Sequence, residues 1–137
     1  MKKIAIFLTF VIASGFTYIH LLPENALADI TKNVADAIRK GNASELAVYF
    51  NSSIDLTVPG KEGSFSKAQA EQIVKDFFAK NTPKSFEIKH QGTSADGSNY
   101  AIGTLLTNKG NFRTYFLIKS ISGKNYIQQL QFDNDKQ

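Results

Sequence analysis

The chain has 137 residues, no cysteine, 16 Lys and Arg against 12 Asp and Glu, and a formal net charge of +4. The absence of cysteine excludes disulfide staples, thiolate metal sites, thiol catalysis and lipidation of a cysteine after export. The surplus of positive charge is small and dispersed: Arg39-Lys40 is the single adjacent basic pair after the first few residues, so no nucleic-acid-binding stripe forms.

The start of the chain reads as a targeting segment. Lys2-Lys3 is basic, Ile4 to Leu22 is uncharged and apolar, Pro23 breaks the run, and Ala26-Leu27-Ala28 has small residues where a signal peptidase reads them. Residues 1–28 are therefore expected to be a signal peptide, with the mature chain beginning at Asp29. A retained anchor is the rival reading, because the apolar run is long enough to span a bilayer. Cleavage leaves about 109 residues, the size of one domain with its own core. The expected location is exported, periplasmic or secreted, with no membrane span after cleavage.

Asp29 is expected to cap a first helix whose Ile30, Val34, Ala37 and Ile38 recur at helical spacing, ending at Gly41. "NASE", with Asn42 as cap and Glu45 reaching back, opens a second short helix carrying Leu46, Tyr49 and Phe50. "SIDLTVPG" predicts a strand with Ile54, Leu56 and Val58 on one face, and "KEGSF" a polar turn. Ser66 and Gln69 form a capping box before the stripe Ala70, Ile73, Val74, Phe77 and Phe78. After Pro83, four alternating runs separated by "SADGS", "NKGN" and "SGK" predict an antiparallel meander. The fold class is thus α+β, with N-terminal helices packed on a curved antiparallel sheet, one domain over residues 29–133 and a flexible tail over 134–137.

The segment "IRKGNASELAVYFNSSIDLTVPG", together with "RTYFLIKSISGKNYIQQLQF", resembles the nuclear transport factor 2-like superfamily, a cone-shaped, cystatin-like α+β fold. More narrowly, the chain is similar to small secreted domains of unknown function from Bacteroidetes-type bacteria. The resemblance implies a cone whose mouth takes apolar ligands and a sheet face that forms homodimers. It also allows a test for catalysis. Isomerases of that superfamily carry a tyrosine seven residues before the corner glycine and an aspartate directly before the proline ending the first strand; here those positions are Val34 and Val58. Neither can move a proton or hold an oxyanion.

Three side chains are candidates for contact with a ligand at the mouth: His90, Tyr49 and Tyr100. His90 is the sole imidazole outside the leader, and plain alternation along "KSFEIKHQG" puts it on the face of Phe86 and Ile88. No serine or carboxylate is placed with it, so a polar residue near a strand end is the competing reading. On the last-but-one strand Arg113, Tyr115, Leu117, Lys119 and Ile121 share one face; Arg113, Tyr115, Leu117 and Ile121 are candidate interface residues. One histidine and no acidic loop leave nothing to assemble a metal site, and "PGKEGS" is too short for a phosphate loop, so no cofactor is expected. The sequence therefore points to an exported, non-catalytic binding domain for a small apolar ligand or a protein partner. The alternatives are a small isomerase- or dehydratase-like enzyme and a structural dimerisation module of the envelope.

Overall fold

A computed structural model describes residues 26–135. The leader reading falls outside them apart from Ala26–Ala28, and Lys136 and Gln137 also lie outside. The elements are α1 (Ala26–Lys40), α2 (Ala43–Ala47), β1 (Phe50–Val58), β2 (Lys61–Ser66), α3 (Lys67–Lys80), β3 (Pro83–Thr93), β4 (Asn99–Thr107), β5 (Gly110–Ile121) and β6 (Lys124–Asn134). Among the described residues no helix is long and apolar enough to cross a membrane.

Helix α1 buries Ile30, Val34, Ala37 and Ile38, as the periodicity requires. Asp29 is not its cap: the helix already runs through Ala26–Ala28, and Asp29 lies in the first turn, where its charge suits the helix dipole. The helix closes as a Schellman motif, with Gly41 N–H donating to Ile38 O and Asn42 N–H to Ala37 O, both at 3.0 Å. Gly41 sits at φ +65° and packs on Pro83, so a side chain there would be strained and crowded at once.

Asn42 accepts from Glu45 N–H at 3.0 Å and starts α2, but the Glu45 side chain turns to Lys40, 3.5 Å away. The helix stops at Ala47, earlier than its apolar residues predict. Phe50 belongs to β1 instead, because the sheet claims that segment: Tyr49 O accepts from Ile127 N–H at 2.7 Å and Phe50 pairs with Ile127. "KEGSF" is likewise not a turn. Pro59-Gly60 makes the whole reversal, with Gly60 at φ +85°, and Lys61–Ser66 returns as β2 against β1. Ser66 and Gln69 form the capping box of α3 at 3.3 Å each way, and Asn81 caps its end.

The six strands form one sheet in the order β2-β1-β6-β5-β4-β3. All neighbours are antiparallel except β1 and β6, so the sheet is mixed rather than antiparallel throughout. The helices cover one face, where Leu56, Phe86, Leu105, Phe112, Phe116, Ile127, Leu130 and Phe132 are buried with the apolar stripes of α1 and α3. Phe77 of α3 stacks on Phe132 at 4.7 Å and meets Phe112 edge-on at 5.0 Å. The expected tail is partly strand: Asn134 pairs with Phe112, and Asp135 N–H donates to Asn111 O at 3.0 Å.

Candidate functional site

The face of the sheet opposite the helices is built by strand pairing. One row crosses all six strands: Glu62, Thr57, Gln131, Tyr115, Ile102 and His90. The next row is Ser64, Asp55, Gln129, Leu117, Tyr100 and Gly92. Arg113, Tyr115 and Leu117 sit on this outer face, where alternation along β5 puts them, and Ile121 ends the same series. Sequence reasoning missed Ile102 and Leu106 of β4. β4 alternates in burial as β5 does, but the adjacent apolar pairs Ala101-Ile102 and Leu105-Leu106 hide that facing in the sequence. Leu106 is 41% exposed and Ile121 39%.

His90 lies on this outer face and is exposed, not on the face of Phe86 and Ile88. Ile88 pairs with Gly103 and His90 with Ile102, so two steps along β3 match one along β4. Lys89 is the extra residue of a β-bulge, and the bulge reverses the facing of everything after it. Gln91 takes the helix-facing position, where it borders clefts with Ala28 and Thr31 of α1.

Tyr100 also belongs to the outer face, and its ring lies across Gly92: a Cβ built on that glycine would meet the phenol oxygen at 2.8 Å. Its edge also borders a cleft of about 280 Å³ with Leu27, Thr31, Asn99 and Ile118. His90 and Tyr100 are thus diagonal neighbours; His90 lies outside the expected mouth, whereas Tyr100 reaches the cleft between α1 and the sheet. Tyr49 joins neither. It precedes β1, four strand spacings from β3, and lines a shallow cleft with Asn33, Asp36, Lys40 and Val48.

Two charge pairs lie on or beside the outer face. Lys89 Nζ lies 2.9 Å from Glu87, and Lys119 Nζ 3.6 Å from Asp96. The Asp96 carboxyl is held below its ordinary range first by the Ser98 backbone N–H at 3.0 Å, then by the Ser98 hydroxyl and Lys119. Burial pushes the Tyr115 phenol up, and the nearby Asp96 and Tyr100 add to the effect. Among the described residues no three His, Asp or Glu side chains gather to hold a metal ion.

The helix-facing side of the sheet is filled, and the clefts lie at its margins. A cleft of about 500 Å³ opens between the β1–β2 turn, the end of α3 and the β4–β5 turn, with Lys61, Lys80 and Lys109 around it. No motif announces it, because the three lysines come from three separate segments.

Solved structures share this architecture. A protein of the DUF4783 family from Bacteroides uniformis is 31% identical, with a TM-score of 0.74, over 79% of this chain and 99% of that one. One from Bacteroides ovatus is also 31% identical, with a TM-score of 0.71, over 77% and 94%. An NTF2-like protein of unknown function from Cytophaga hutchinsonii is 12% identical, with a TM-score of 0.55, over 79% and 88%, and shares the fold. No curated protein matches. Residues 31–133 match the family described as "Domain of unknown function (DUF4783)". The chain belongs to the DUF4783 family, a domain of unknown function on an NTF2-like fold.

Proposed function

We propose that the protein is a non-catalytic binding domain whose outer sheet face pairs with a second copy of the same chain. The observation that carries this is the division of that face. β3, β4 and β5 contribute Tyr100, Ile102, Leu106, Tyr115 and Leu117 with Arg113 and His90, whereas β1, β2 and β6 contribute Gln129 and Gln131 with Asp55, Glu62 and Asp133, and Tyr126 and Lys124 at the far end of β6. Glu87 and Asp96 are already engaged by Lys89 and Lys119. A two-fold axis parallel to the central strands lays the half of one copy that carries Asp55, Glu62 and Asp133 on the half of the other that carries Arg113, as an isologous contact allows. Tyr115 and Leu117 of β5, next to the axis, would form its desolvated centre.

Val34 and Val58, where the resembling isomerases keep their acid–base groups, are buried among apolar side chains, which supports a non-catalytic role. The basic, apolar start of the chain supports export, with Asp29 as the first mature residue.

Sedimentation equilibrium of the purified protein tests the pairing. A dimer is expected at about 0.1 mM, with Leu117→Asp weakening it by at least tenfold. A wild-type protein that stays monomeric at that concentration, or a Leu117→Asp protein that pairs as well as wild type, overturns the proposal. The mass of the protein recovered from its native cell envelope tests processing. A chain still beginning at Met1 refutes cleavage after Ala28.

A further inference from the structure

The cleft on the helix side of the sheet has a floor and a rim of opposite character. Ile73 supplies apolar surface, with the edges of the otherwise buried Val58 and Phe77, and Lys61, Lys80 and Lys109 border it from the start of β2, the last residue of α3 and the β4–β5 turn. No carboxylate of the described residues lies within 4.0 Å of any of the three: the ion pairs present use Lys32, Arg39, Lys40, Lys89 and Lys119. The single acidic residue at the cleft is Asp76, and its carboxylate already accepts from the Gln72 amide at 3.0 Å.

A bland account covers one lysine alone. Lys80 ends α3 and suits the negative end of the helix dipole. That effect fades within a turn and gives no reason for Lys61 and Lys109, which belong to the sheet. The helix end is also less repulsive to an anion than a bare one. Asn81 donates both its backbone N–H, at 2.9 Å, and its side-chain amide, at 3.0 Å, to the Phe77 carbonyl. An uncompensated positive rim over an apolar floor is the arrangement that holds a molecule with one charged end and a greasy body.

We propose that this cleft binds an organic carboxylate with an apolar tail. The lysines take the carboxylate, and the tail lies against Ile73 and Phe77. Val58 and Lys61 belong to the helix-facing side of the β1–β2 hairpin, opposite the face assigned to self-association, so the two events are separable.

Isothermal titration of the purified protein with decanoate, below its micelle concentration, tests the site. Decanol and inorganic phosphate serve as the neutral and the tailless probes. Decanoate is expected to bind saturably and at least about tenfold more tightly than either, with Lys61→Gln and Lys109→Gln each costing roughly tenfold, the loss expected for a charge-assisted hydrogen bond. Lys124→Gln, at the distant β5–β6 turn, is expected to change nothing. Both cleft lysines are exposed, so their variants retain the fold, and a thermal melt verifies it. Absence of saturable decanoate binding overturns the proposal. So does equal binding of decanol or phosphate, or decanoate binding that the two cleft variants leave unaltered.

Discussion

His90 stands directly opposite Ile102 on the outer face of the sheet, although Ile88, two residues earlier, pairs with Gly103 and faces the helices. A single extra residue, Lys89, separates the two facings. This moves the one described imidazole from the core margin to solvent, beside Ile102 and Tyr100.

His90→Ala is therefore expected to alter folding stability by no more than about 0.5 kcal/mol, the range of exposed substitutions. Urea denaturation checks this. A loss of more than about 2 kcal/mol would place the ring in packed surroundings and contradict the bulge.

Gly103 is the partner that lets β3 cross at the bulge. A Cβ there would lie 2.5 Å from Glu87 O and 2.7 Å from the Phe86 ring, and a backbone oxygen in a paired strand has little room to retreat. Gly103→Ala is expected to destabilise by about 1–3 kcal/mol, as overpacking does. Gly63→Ala provides the contrast: its new methyl would meet Phe65 at 3.4 Å, an ordinary contact, and stability is expected to stay within about 0.5 kcal/mol. Equal midpoints for the two variants in denaturant would refute the close crossing.

Tyr115 links the outer face to pH. Burial first, and then the Asp96 and Tyr100 charges, raise its phenol above the ordinary 10.0, so the folded state favours the neutral form. Its contribution is complete below 10.0 and is lost as pH rises through the folded value. Stability of the wild type should decline in that alkaline window more steeply than stability of Tyr115→Phe. Denaturant midpoints measured across the window decide it, and parallel curves for the two proteins would exclude a role for Tyr115.

Local patterns carried much of the fold. The apolar stripes of α1 and α3, the Ser66–Gln69 capping box, the corner at Gly41 and the strands after Pro83 all depend on residues a few positions apart, where helix and strand periods act. The outward facing of Arg113, Tyr115 and Leu117 follows from the same short-range rule, because β5 contains no extra residue before Leu117 within its pairing to β4. The exclusion of thiol chemistry needs composition alone.

Long-range pairing decided the remainder. Phe50 left its helix for a strand because Ile127, far along the chain, offers a parallel partner, and "KEGSF" became β2 because β1 had an open edge. The facing of His90 and Gln91 depends on where β3 gains a residue over β4, and period-two alternation has no term for that. The lysine-rimmed cleft is likewise invisible in sequence, since Lys61, Lys80 and Lys109 meet through the packing of a hairpin, a helix end and a turn. Periodicity reports which face a residue shares with its neighbours in the chain; which face that becomes in the molecule is set by register, and register is a property of two strands together.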